Sequence, residues 1–250
     1  MAHIRLSKID PNPPEGFEKH KIKEQTKKML NDLDELQNKL YAGHQHSVLI
    51  ILQGMDASGK DGAVRKVFEG INPQGIDVHS FKVPTEEESS HDFLWRIHKQ
   101  TPQKGMIKIF NRSHYEDILV TRVHKIIDTK TAKKRMKAIN DFEQLLSENH
   151  THILKFYLHI SKEEQTERLK ERLTIARKMW KYNSNDFKEA EYWADYQAYY
   201  EDCFNDCGEI PWIIVPANKN WYKEFLITEA LHNLLKKLHL KYPILENNKI

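Results

Sequence analysis

Val48-Leu49-Ile50-Ile51-Leu52-Gln53-Gly54-Met55-Asp56-Ala57-Ser58-Gly59-Lys60-Asp61 runs from an unbroken apolar segment into a turn bounded by glycines and closed by a lysine. The apolar segment is short and rich in β-branched residues, the pattern of a buried strand. Ala63, Val64, Val67, Phe68 and Ile71 then recur at helical spacing, so the stretch predicts strand, loop and helix in succession. Gly54, Gly59 and Lys60 have the G-x-x-x-x-G-K spacing of a phosphate-binding loop. Glycines at both ends let successive backbone N–H groups converge on an anion, and the following helix adds the positive end of its dipole. Asp61 occupies the position where such loops carry a Ser or Thr whose hydroxyl ligates magnesium.

Outward from the loop, strand patterns at 48–52, 76–83, 106–110, 153–160 and 212–215 alternate with helical patterns at 60–71, 91–100, 115–125, 131–148, 162–175, 189–204 and 223–240. The alternation predicts an α/β fold of three layers, α/β/α, with a central parallel sheet and the phosphate loop beyond the carboxyl ends of its strands. A single domain over 1–250 accommodates this. It begins with an extended, proline-containing arm and an amphipathic helix within 1–45, and 162–190 reads as a helical lid insertion.

Charge is abundant but nearly balanced: charged residues make up 30% of the chain and the formal net charge is +3. Such a balance excludes the global field of a dedicated nucleic-acid binder, so any anion site is local. Two cysteines, Cys203 and Cys207, lack the partners of a zinc site and read as reduced thiols. No apolar run approaches the roughly 18 residues of a membrane span, and no secretory signal core begins the chain, so a soluble cytoplasmic protein is expected.

The residues suited to chemistry fall into three groups. Gly54, Ala57, Ser58, Gly59, Asp61 and Gly62 are read as the phosphate cradle, with Lys60 as its mobile charge. Asp56 lies within the loop, where an acid beside a polyanion implies magnesium or proton-accepting work. Asn111-Arg112-Ser113-His114-Tyr115-Glu116-Asp117, followed by Arg122, stands after the third strand, where a carboxylate such as Glu116 or Asp117 is placed to meet magnesium. Asp56 and Asp117 are the candidate metal ligands, and Lys82 and His114 are possible additions to the site. Arg168, Lys170, Arg172, Arg177, Lys178 and Lys181, with few intervening acids, suit a lid that closes over phosphates. His44, His46, His150 and His152 lack carboxylates at ligand spacing and read as ordinary histidines.

Taken together, the block at 54–62, Phe81-Lys82-Val83-Pro84, His91 to Arg96, Phe110 to Asp117, Trp180-Lys181 with Asp186, and Pro211 to Ala217 resemble the polyphosphate kinase 2 family over nearly the whole chain. The resemblance implies a P-loop kinase fold, magnesium as cofactor, and reversible phosphoryl transfer between inorganic polyphosphate and nucleotides. Asn111 to Glu116 is similar to the subgroup that accepts both nucleoside mono- and diphosphates, such as AMP and ADP. It further implies that Asp56 and Lys60 are the loop's catalytic pair and that Arg112, Glu116, Asp117 and Arg122 surround the transferring group. Arg172, Arg177, Lys178 and Lys181 would face the polyanion. Homodimers or homotetramers are expected on the same ground, with neither nucleic acid nor membrane as partner. Asn218, Asn220 and Lys223 depart from the family pattern. An ATP-dependent nucleotide or small-molecule kinase and a non-catalytic polyanion-binding module are the alternatives, and Asp61 counts against the first.

Overall fold

The computed structural model describes residues 3–244; the ends of the 1–250 span, residues 1–2 and 245–250, lie outside the described residues. Helix α1 (Lys19–Gly43) leads to strand β1 (Ser47–Gln53), helix α2 (Lys60–Val67), β2 (Ile76–Ser80) and β3 (Ile107–Asn111). Helix α3 (Thr129–Glu148), β4 (Thr151–His159), α4 (Lys162–Thr174), α5 (Trp193–Asp206), β5 (Trp212–Pro216) and α6 (Asn220–Lys237) follow. Side-chain caps start two of these helices: Asp128 accepts the N–H of Thr131 at 2.7 Å and Ser161 that of Glu164 at 3.2 Å.

All five strands are parallel, in the order β2-β3-β1-β4-β5. Residues of β1 are buried on both faces, which explains an apolar run without alternation. Val48, Ile50 and Leu52 pack with Leu33 and Leu40 of α1, Val67 of α2 and Leu231 of α6. Leu49 and Ile51 face the opposite layer, which holds Met136, Ile139 and Phe142 of α3 and Phe204 of α5. This is the three-layer α/β/α architecture of P-loop kinases. From β1 the chain crosses to the β2 edge, whereas from β3 it crosses to the other side at β4. The crevice created by that reversal opens at the carboxyl end of β1, and the loop 54–59 occupies it.

Several elements are shorter than their periodicity predicts. Strand β2 stops at Ser80, and the 91–100 pattern yields helix only over Trp95–His98. The 115–125 pattern divides into a 3-10 turn, His114–Ile118, and a single helical turn, Val120–Val123. Leu119 separates them with a ψ of −78°, and the turn ends before Lys125 at a positive φ of 56°. The N-terminal arm is pinned rather than free: Leu6 is buried, and its N–H donates to Glu201 at 2.7 Å.

Candidate active site

Gly54, at φ +153°, lies so close to β4 that a Cβ there would meet the Leu158 carbonyl oxygen at 2.9 Å. Gly59, at φ +93°, starts α2 and leaves room for the Lys223 ammonium, 2.5 Å from where a Cβ would stand. Left-handed backbone and close approach together make both positions glycine. Lys60 follows at only 8% exposure, its Nζ 2.7 Å from the Gly54 carbonyl oxygen and 3.2 Å from that of Met55.

Across from the loop, Arg112 adopts a left-handed φ of 63° and turns its guanidinium between two acids. Nη2 lies 2.5 Å from Asp56 Oδ1, and Nη1 lies 3.2 Å from Glu116 Oε2. Both acids raise the Arg112 pKa, that of Glu116 most. Asp56 and Arg112 border the main cleft and a smaller cavity behind it, whereas Glu116 borders the smaller cavity alone.

The main cleft, about 1040 Å³, is lined by twelve Lys and Arg against seven Asp and Glu. That local excess exceeds the charge of the whole chain, so the cleft concentrates the positive field that composition denied to the surface at large. Lys82, Arg172, Arg177, Lys178 and Lys181 all border it, as do Ala57, Asp61, Gly62 and Asn111 of the predicted phosphate site. Lys181 Nζ donates to Asp61 at 2.6 Å and Asn111 Nδ2 donates to the same carboxylate at 2.9 Å, tying the predicted lid and the end of β3 to the start of α2. Burial opposes the Asp61 charge, but these hydrogen bonds prevail and its pKa falls below the usual value. Arg172 pairs with Asp186.

The family model for polyphosphate kinase 2 matches residues 16–243. The chain belongs to the polyphosphate kinase 2 family. An AMP/ADP-polyphosphate phosphotransferase of Meiothermus ruber is 46% identical over 246 residues, covering 97% of this chain and 92% of that protein. An ADP-polyphosphate phosphotransferase of Rhodopseudomonas palustris is 39% identical, covering 95% of this chain and 86% of that protein. The crystal structure of polyphosphate kinase 2 from Arthrobacter aurescens superposes with a TM-score of 0.95 at 41% identity, covering 100% of this chain and 91% of that one.

Four of the predicted site residues are placed otherwise than expected. Asp117, a neighbour of Glu116 on a 3-10 turn, points away from the cleft toward Arg96 at 3.7 Å, and burial raises its pKa to about 6. His114 is fully buried, its Nε2 3.2 Å from Glu143, and burial lowers its pKa, so it is a neutral donor inside the core. Arg122 lies against Tyr199 and pairs with Asp202 at 2.8 Å, outside the cleft lining. Arg168 borders the cleft, yet its five N–H donors meet Glu164 and the carbonyl oxygens of Ala57, Ser58, Ala217 and Asn218. It braces the loop against the exit of β5. Ser58 is fully buried, its N–H donating to the Met55 carbonyl at 3.1 Å and its own carbonyl accepting from Arg168, so it presents no exposed hydroxyl to the cleft.

Lys223 is among the cleft-lining residues that the sequence did not single out for the site. Its Nζ donates to the Gly59 carbonyl at 3.1 Å and to Asn220 at 2.9 Å, and it borders the cleft although α6 lies remote in sequence. Its departure from the family pattern was the available signal. Burial lowers the pKa values of both Lys60 and Lys223 to about 8. A bound polyanion favours the charged ammonium and lifts both values back, so binding above pH 8 takes up protons. At about pH 8.5, calorimetry of polyphosphate binding in two buffers of different ionisation enthalpy is expected to register that uptake, with affinity falling as pH rises further. Proton release would contradict this electrostatics.

Among the described residues no group of three His, Cys, Asp or Glu is arranged to hold a metal ion. Magnesium needs no such group: it keeps several waters and binds through one or two carboxylates together with substrate phosphates. Asp56, within the loop and with its side chain 20% exposed on the cleft wall, fits that requirement, and Asp117 does not reach the cleft.

Proposed function

We propose that this chain transfers phosphoryl groups reversibly between inorganic polyphosphate and nucleoside mono- and diphosphates, forming ADP from AMP and ATP from ADP. The observation that carries the reading is the cation-lined cleft converging on Lys60 and the Asp56–Arg112–Glu116 chain. The names of the similar M. ruber and R. palustris proteins support the substrate pair. Phosphoryl transfer through a loose transition state requires positioning and charge neutralisation more than covalent help from the protein.

Backbone N–H groups of the loop other than that of Ser58, which donates to Met55, grip the phosphates, and the Lys60 ammonium exchanges its two carbonyl contacts for phosphate oxygens. Arg112 neutralises the transferring group while holding Asp56 and Glu116 at fixed positions. Arg172, Arg177, Lys178 and Lys181 form the lid that covers the polyanion and excludes water, with the Lys181–Asp61 bond as its contact with the loop. Magnesium held by Asp56, with Glu116 nearby, would neutralise charge on the phosphate oxygens when bound. No described helix is long and apolar enough to cross a membrane, and a cytoplasmic homodimer or homotetramer acting without nucleic acid or membrane completes the reading.

The deciding assay supplies purified protein with ADP, magnesium and long-chain polyphosphate in the absence of ATP. ATP is expected to form. No ATP, together with phosphorylation that requires ATP as donor, overturns the reading. Because the donor track is a set of partly solvated cations, the KM for long-chain polyphosphate is expected to rise several-fold between about 50 and 200 mM salt, with kcat changing less. Steady-state rates across that range check it, and a salt-independent KM would remove the cleft as the polyphosphate track.

A further inference from the structure

Beneath the turn that carries Glu116 lies a charged cluster that the reaction scheme does not use. Lys155 of β4 and Glu143 of α3 form an ion pair at 2.7 Å with side chains 0% and 1% exposed. The Lys155 ammonium spends its three donors on Glu143, on the Tyr115 hydroxyl at 2.9 Å and on the Cys207 carbonyl at 2.8 Å. Tyr115 donates in turn to Glu143 at 2.7 Å, beside the His114 contact to the same oxygen. Its ring packs edge-on against Trp212 of β5, with centroids 4.7 Å apart.

Removing two opposite charges from water costs several kcal/mol per ion, and apolar residues of similar shape often stabilise a core as well or better. Stability is therefore a poor explanation for the pair, whereas geometry is a good one. The chain leaves β3 through Arg112 in a left-handed conformation and enters the His114–Ile118 turn, where Tyr115 directly precedes Glu116. Tyr115 is clamped from α3 and β4 at its hydroxyl and from Ser113 at its N–H, 3.2 Å from Oγ. Ser113 accepts another hydrogen bond, at 3.1 Å, from Gln53, the residue before Gly54. One polar chain thus links the sheet interior, the acidic turn and the start of the phosphate loop.

We propose that Lys155, Glu143 and Tyr115 act as a positioning unit that fixes Glu116, and with it Arg112, relative to Asp56. This rests on the reading of Glu116 as an active-site acid. The experiment replaces the cluster by apolar residues of similar volume, Tyr115→Phe with Glu143→Leu and Lys155→Met, and measures melting temperature, kcat and both KM values in the ATP-forming assay. The triple variant is expected to fold with a lowered melting temperature, because His114 and the Cys207 carbonyl lose their partners, and to show kcat lowered tenfold or more with both KM values changed less than threefold. Introduced into a Glu116→Gln background, the same three changes are expected to cost no more than a further twofold, because positioning has no effect once the positioned group is gone. Parental kcat in the triple variant overturns the proposal, as does a loss that multiplies in full with that of Glu116→Gln. Should the triple variant not fold, Tyr115→Phe alone removes the shared hydroxyl and keeps the ring; a kcat threefold or more below the parent supports the unit, and parental kcat overturns it. Glu116→Gln at the parental rate would overturn the site reading and this proposal together, which separates that failure from a failure of positioning alone.

Discussion

Lys60→Met is expected to lower kcat for ATP formation from ADP and polyphosphate by about 10² to 10³, the range found when one preorganised electrostatic donor is removed from an active site. The ammonium is nearly buried, at 8% exposure, so its field on a phosphate is poorly screened by solvent. It rests on the carbonyl oxygens of Gly54 and Met55, which keeps it beside the cradle. Methionine fills the same space without charge, and a melting temperature close to the parent's is expected. Lys60→Arg is not expected to rescue, because a planar fork cannot replace a compact ammonium within the glycine-bounded turn. Luminescent detection of ATP provides the rate, and a Lys60→Met variant retaining more than a tenth of parental kcat would remove Lys60 from the mechanism.

Asp56→Asn is expected to cost at least about 10² in kcat, comparable to the loss of one well-placed acid–base or electrostatic group. The change is nearly isosteric, but it removes the charge facing Arg112 at 2.5 Å. Arg112 keeps Glu116 at 3.2 Å, so the loop and the turn should remain folded. A magnesium titration then distinguishes the roles of the carboxylate. If Asp56 holds magnesium, the variant requires a higher magnesium concentration for half-maximal rate and recovers in part when it is supplied. If Asp56 accepts a proton, the magnesium requirement is unchanged and added magnesium recovers nothing. Activity within twofold of the parent excludes both roles.

Much of the architecture was legible because its signals are local. The apolar run 48–52 and the glycine spacing after it identify β1 and the loop within fourteen consecutive residues. Strand–helix alternation then suffices for a parallel, doubly covered sheet, because parallel neighbours require a crossover that a helix supplies. The ends of elements were less legible. The pattern at 115–125 has helical spacing, yet the Leu119 backbone departs from the helix, and two short turns replace one helix.

The site was legible by composition more than by direction. Glu116 and Asp117 are adjacent acids, but on a 3-10 turn neighbouring side chains diverge, and only Glu116 meets Arg112. His114 lies in the same segment and points into the core toward Glu143. Arg168 was readable as a basic lid residue; its five hydrogen bonds, four of them to backbone carbonyls of two loops distant in sequence, exist only after folding. Lys223 stood out only as a departure from the family pattern, because a lysine on an amphipathic helix ordinarily reads as a solvated charge.

The amino-acid sequence by itself determined the phosphate loop, the class of fold and the family, because each depends on residue types at short, fixed spacing. Tertiary structure alone decided which acids face the cleft, which arginines brace the loop, and that Lys155 and Glu143 meet beneath Glu116. Those are questions of side-chain direction and of burial among segments far apart in the chain, and both arise only when β1, β3 and β4 pair in register and the helices close over them.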